Sequence, residues 1–228
     1  MSSIESADPT RSRRASDPRA NVMQRAYRVW APVYDVACGR LFLSSRKAAA
    51  SLAAASGRRI LEVGVGTGLS LADYGHRNAV FGIDLSPEMI ARARARAAKG
   101  SAAHIGSLEV MDAHHLAFGD ATFDAVVAQF VITLVSDAER VLDEAWRVTA
   151  PGGEIILVNH FYSERGLAAW LERHLAPAAH RLGLRPDFPF GRITAWIERM
   201  PGARLIERRA SGPFGWFSIV RIGKSNTP

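Results

Sequence analysis

One ten-residue stretch sets a carboxylate against three closely spaced glycines: Arg59-Ile60-Leu61-Glu62-Val63-Gly64-Val65-Gly66-Thr67-Gly68. The apolar residues around Glu62 read as a buried strand. The glycines at alternate positions read as a sharp turn whose backbone N–H groups a ligand can approach closely. The next apolar run, Ala79-Val80-Phe81-Gly82-Ile83, ends in Asp84. An acidic residue about 20 positions beyond such glycines is placed to accept from both hydroxyls of a ribose. A dinucleotide fingerprint spaces its glycines G-x-G-x-x-G, whereas here the third arrives one residue early. Glu62, two residues before the first glycine, would repel a pyrophosphate and attract an ammonium group. The chemistry expected is binding of a nucleoside that carries an amino-acid-like cation.

The rest of the chain offers little covalent or metal chemistry. Its one cysteine, Cys38, excludes an internal disulfide, fits a reducing cytosol, and reads as a small apolar residue. His114 and His115 are adjacent, so a regular element points them apart, and no His/Cys group has metal-ligand spacing. No apolar run reaches the roughly 18–20 residues that span a bilayer, and Met1–Ala20 lacks the apolar segment of a secretory signal.

The elements that must position these groups are those of one α/β domain with additions, for which 228 residues at 48% hydrophobic content suffice. Residues 1–20 read as a disordered tail. Residues 21–57 read as amphipathic lid helices. From Asn21 to Cys38 the helical period gathers Val22, Met23, Tyr27, Trp30, Val33 and Tyr34 on one face, and Pro32 kinks or divides it. That face suits either a helix docked on the sheet or one lying in a lipid headgroup layer. Residues 58–228 read as the main domain. Short helices are expected over Leu69–Tyr74 and Pro87–Lys99, the latter capped by Ser86, and another over Asp137–Val148. Strands are expected at Leu108–Met111, Phe123–Phe130 and Glu154–Val158, with a closing antiparallel pair near 204–208 and 215–222. Residues 163–190 read as an insertion over the site. Arg92, Arg94 and Arg96 read as mostly solvated charges.

The net charge of +7 is unevenly spread: residues 51–160 carry nine Lys/Arg against thirteen Asp/Glu, and the flanks are basic. A phosphate-bearing partner is implied, either nucleic acid or an anionic membrane.

The glycine stretch resembles motif I of the class I S-adenosylmethionine-dependent methyltransferases. Gly82-Ile83-Asp84-Leu85-Ser86, Val110-Met111-Asp112-Ala113, and Pro151-Gly152-Gly153 before a strand follow in that family's order. The resemblance implies a Rossmann-like, mostly parallel sheet with one antiparallel strand, and S-adenosylmethionine as cofactor with S-adenosylhomocysteine as product. It implies that Glu62 and Gly64, Gly66 and Gly68 hold the methionine end, that Asp84 takes the ribose, and that Leu85 lies beside adenine. Asp112 would accept the adenine amino group, the Ala113 N–H would reach a ring nitrogen, and Gln129 would line the methionine moiety.

Several aromatics, Tyr27, Trp30, Tyr34, Phe130, Phe161, Tyr162 and Trp170, are expected at one opening, where their faces attract sulfonium and methylated ammonium groups. The sparse acid–base equipment fits an amine acceptor, with Tyr34, Asn159 and His160 as candidates to orient it or receive its proton.

Tyr34-Asp35, Leu61–Gly68, Ile83-Asp84-Leu85-Ser86-Pro87-Glu88-Met89 and Val158-Asn159-His160-Phe161 are similar to bacterial phosphatidylethanolamine N-methyltransferases over roughly residues 22–162. This narrower resemblance implies stepwise methylation of a phospholipid amine by a cytoplasmic protein bound peripherally to the inner face of the membrane. Neither metal nor nucleic acid is expected as partner. Quinone or sterol C-methylation and RNA methylation are the alternatives.

Overall fold

Residues of β1 (Arg59–Val63) are buried at every position but the first, as a strand covered on both faces must be. In the computed structural model, which describes residues 42–100, 104–161, 188–212 and 215–226, β1 lies third in a seven-stranded sheet. The other strands are β2 (Ala79–Asp84), β3 (Ile105–Val110), β4 (Phe123–Gln129), β5 (Thr149–Asn159), β6 (Ala203–Ser211) and β7 (Phe217–Lys224). Their order is β3-β2-β1-β4-β5-β7-β6, with β7 antiparallel to both its neighbours. The order reverses direction between β1 and β4, and open α/β sheets bind ligands at the carboxyl ends of the strands flanking such a point.

Alternate residues of the central strands feed two cores, one on each face. Leu61, Val63, Val126, Ala128, Ile155 and Leu157 join one, and Ile60, Val127, Ile156 and Val158 join the other. The same period places Glu62 and Gln129 on the face of the second core. There α1 (Leu43–Ser56) packs on β4 and β5 through Ala49, Ala50 and Ala53, small residues that let helix and sheet approach closely. α2 (Pro87–Lys99) covers β2 and β3; Ser86 Oγ caps it by accepting from Met89 N at 3.3 Å, and Gly100 ends it. On the first core's face, α3 (Ala138–Val148) is capped by Asp137, and α4 (Gly191–Arg199) buries Trp196, whose Nε1 donates to Asp143 at 2.8 Å.

Two local expectations are corrected. Leu69–Tyr74 is not a helix; it holds a single 3-10 turn at Leu71–Asp73. Gly68 has φ +77°, Ser70 turns its hydroxyl to Glu62, and Gly75 follows, so too few residues remain to nucleate a helix. The glycine turn therefore has no helix N-terminus behind it. Arg92, Arg94 and Arg96 are exposed, as read from the sequence, and Arg94 and Arg96 also donate to the carbonyls of Leu108 and Thr67, fastening α2 to β3 and to the glycine turn. Phe161 packs with Phe188 and Phe190 in the first core, on the face opposite Phe130's contacts, and so does not share an opening with it.

Residues 1–41 and 162–187 lie outside the described residues. Tyr27, Trp30, Tyr34, Tyr162 and Trp170, most of the lid segment and most of the expected insertion fall there. Among the described residues no helix is long and apolar enough to cross a membrane, and no group of three or more His, Cys, Asp or Glu converges.

Candidate active site

The glycine turn is locked onto the neighbouring strand: the N–H groups of Gly64 and Val65 both donate to the carbonyl of Ile83, at 2.8 and 2.9 Å. Gly64 has φ +72°, and a Cβ there would stand 2.3 Å from Val131. Gly66 has φ +56°, and a Cβ there would meet nothing within 4 Å, so its outer face is open.

The locking of the turn brings Asp84, the last residue of β2, under it. Asp84 Oδ2 accepts from Gly66 N at 3.0 Å and Oδ1 from Ser86 N at 2.9 Å. Burial pushes its carboxyl above the ordinary value, opposed by the amides of Ser86, Gly66 and Leu85. Leu85 beside it is 57% exposed, an unusual state for a leucine next to a buried strand.

Glu62 is fully enclosed. Ser70 Oγ donates to its Oε1 at 2.6 Å and Gln129 Nε2 to the same oxygen at 3.3 Å. Burial raises its pKa to about 7, and the opposing hydrogen bond from Ser70 and the influences of Tyr74 and Arg46 do not restore it. Its Oε2 is buried without a hydrogen bond, as are the Tyr74 hydroxyl and Gln129 Oε1. Arg46 of α1 and Asp73 of the 3-10 turn form an ion pair at 2.6 Å and act on Glu62 in opposite senses.

Asp112 follows β3, and Met111 N is tied to the Asp84 carbonyl at 3.0 Å. Its Oδ1 accepts from His114 N at 2.9 Å and meets His114 Nδ1 at 2.6 Å. Partial burial raises its pKa, but the His114 amide and imidazole outweigh that and leave it lowered. One carboxylate oxygen is thus engaged locally; Ala113 beside it is half-buried.

On the β4–β5 side, Asn159 is fully buried, with Oδ1 3.4 Å from Thr133 Oγ1 and Nδ2 without a partner. His160 is half-buried and its Nδ1 donates to the carbonyl of Trp216 at 2.6 Å; the Trp216 side chain is 64% exposed. Phe130 closes β4 with φ +60°, a strained state for a bulky residue, and packs on Phe42 and Phe217 at 4.3 and 5.1 Å between ring centroids.

Sequence reasoning named Glu62, the glycines, Asp84 and Gln129, which the structure draws into two contacting groups, Gly66–Asp84 and Glu62–Gln129. It missed Ser70 and Tyr74, which surround Glu62, and Phe42, Phe217 and Trp216 beside Phe130 and His160. Only the aromatic character of the last three gave any signal.

A strand-turn-strand nucleoside crevice beside a buried carboxylate, in this strand order, defines the methyltransferase class. The family described as a methyltransferase domain matches residues 61–157. A Haloferax volcanii structure, a complex of the Trm112 methyltransferase activator with a putative methyltransferase, superposes with a TM-score of 0.68. That match has 18% identity and covers 90% of this chain and 97% of the other, so it speaks to the fold alone. Demethylmenaquinone methyltransferase of Thermobifida fusca is 30% identical over 77% of this chain and 80% of its own length. Phosphatidylethanolamine N-methyltransferase of Cereibacter sphaeroides is 42% identical over 89% of this chain and 97% of its own length. The chain belongs to the phosphatidylethanolamine N-methyltransferase family of S-adenosylmethionine-dependent methyltransferases.

Proposed function

We propose that the protein transfers methyl groups from S-adenosylmethionine to the amine of phosphatidylethanolamine and its methylated intermediates, towards phosphatidylcholine, at an anionic membrane surface. The observation that carries this reading is the 42% identity to a phosphatidylethanolamine N-methyltransferase across nearly the whole of both chains.

The residues present suit the cofactor. Glu62 has a buried oxygen without a partner, suited to an ammonium group. Asp84 has both oxygens aimed by backbone amides at the edge of the turn, suited to two ribose hydroxyls. Gly66 leaves open space over its backbone, and exposed Leu85 offers an apolar edge to a base. Asp112 keeps one oxygen for the adenine amino group while His114 holds the other. When bound, S-adenosylmethionine supplies a methyl group on a positively charged sulfur that leaves as a neutral thioether.

The protein's task is then to hold donor and acceptor in line and keep water out, which is worth about 7–11 kcal/mol. Phe130, Phe42 and Phe217 wall the β4 end with apolar surface. An amine arrives protonated and must give up a proton before it attacks. His160, held by the donation of its Nδ1 to the Trp216 carbonyl, is a candidate to receive that proton. Asn159, and Tyr34 from the lead-in segment, are the remaining candidates to orient the amine.

Incubation with methyl-labelled S-adenosylmethionine and phosphatidylethanolamine vesicles is expected to yield labelled mono-, di- and trimethylated lipid. Label appearing only in an added quinone, or in no lipid at all, overturns the proposal.

A further inference from the structure

Three buried polar atoms meet behind the glycine turn, and none completes a hydrogen bond: Glu62 Oε2, the Tyr74 hydroxyl and Gln129 Oε1. They are neighbours: Gln129 Nε2 reaches the other Glu62 oxygen at 3.3 Å, and Glu62, Asp73 and Gln129 all act on the Tyr74 phenol. Buried polar groups in native proteins are nearly always paired, so three orphans in one place ask for a partner. Once Glu62 is ionised, as pH rises past about 7, the carboxylate and the amide carbonyl only accept, and the phenol brings one proton. One proton between two acceptors leaves an acceptor over, and an ammonium group with three N–H donors meets that surplus.

We infer that Tyr74 is a positioning residue for the cofactor's ammonium end: its hydroxyl donates to Glu62 Oε2, turning the carboxylate and the Gln129 carbonyl to receive the ammonium. This rests on the reading that Glu62 takes the ammonium. Ser70 already holds the other carboxylate oxygen at 2.6 Å, so with that donation the two hydroxyls would grip Glu62 from both sides.

Among the described residues, few groups face Glu62. They are Ser70, Asp73 and Tyr74 from the turn, Gln129 from β4 and Arg46 from α1. Arg46 is paired with Asp73. Tyr74 favours the ionised form of Glu62, so its loss should move the pH dependence of cofactor binding upward.

The test is calorimetric titration of the full chain with S-adenosylhomocysteine and with its des-amino analogue, across pH 5.5 to 8.5. Tyr74→Phe keeps the ring and removes a hydroxyl that lacks a complete bond, so a nearly unchanged melting temperature is expected. It should lose about tenfold in affinity for S-adenosylhomocysteine, the scale of one hydrogen bond to a charged group. It should bind the des-amino analogue as the wild type does, and its binding midpoint should shift to higher pH. Ser70→Ala should act in the same sense. Equal losses for both ligands in Tyr74→Phe, or no loss and no pH shift, overturn the role of Tyr74. Glu62→Gln is the control: if it fails to discriminate between the ligands, the ammonium reading falls and this inference with it. If it discriminates while Tyr74→Phe does not, only the inference falls.

Discussion

Glu62 holds a proton at pH values where an exposed glutamate has long lost it, because burial strips its carboxylate of water and the hydrogen bonds that oppose this do not make up the loss. A carboxyl whose pKa is raised on folding stabilises the fold fully below its unfolded value. It withdraws that stability as pH climbs through the folded value near 7. The cofactor-free protein should therefore lose stability between about pH 5 and pH 7, and Glu62→Gln should remove Glu62's share. The shift corresponds to a difference on the order of 3 kcal/mol between wild type and variant, read as the change in denaturant midpoint from pH 5 to pH 8. A variant whose profile parallels the wild type would refute it. Glu62 could be picked out in the sequence because a carboxylate inside an apolar strand must have a reason to be there. Tyr74 could not, since Asp73-Tyr74-Gly75-His76 reads as an ordinary polar loop and only the fold turns the ring inward.

At the scale of elements, the turn after β1 separates structural from ligand-facing glycines. Gly64→Ala places a methyl group 2.3 Å from Val131 at φ +72°, so both the backbone and the core resist it. Gly66→Ala meets no atom within 4 Å and pays only the left-handed penalty of about 1–2 kcal/mol. Gly64→Ala is expected to melt markedly lower than the wild type. Gly66→Ala should stay folded yet lose most of its affinity for S-adenosylhomocysteine. Melting curves paired with a titration check this, and equal melting losses would contradict the division. The strands were legible because buried parallel strands leave continuous apolar runs, and α2 because Ser86, Pro87 and Gly100 mark both its ends. The missing helix after the turn was not legible: Leu69–Tyr74 has helical composition, and what cancels it is the call of Glu62 on Ser70 across the fold.

Over the whole molecule, the mostly parallel sheet was legible through the family resemblance of its motifs, and the closing β6–β7 pair from its spacing; the strand order was not, since no α-helix separates β1 from β2 or β3 from β4. β6 lies at the sheet edge and exposes Arg204, Leu205, Ile206, Arg208 and Arg209, while Arg221 of β7 turns inward to Glu154. With a net charge of +7, attachment to anionic vesicles should be electrostatic in large part. Co-sedimentation is expected to fall severalfold when salt rises from about 0.05 M to about 0.5 M, as screening shortens the reach of surface charges. Binding indifferent to salt would point instead to purely apolar attachment.

The Arg46–Asp73 pair ties α1 to the loop that carries Tyr74, and its two charges pull the proton on Glu62 in opposite directions. The carboxyl therefore feels two opposed charges, one of them carried by the helix. On the reading that Glu62 takes the ammonium of the methyl donor, a small slide of α1 would retune that grip through charge alone.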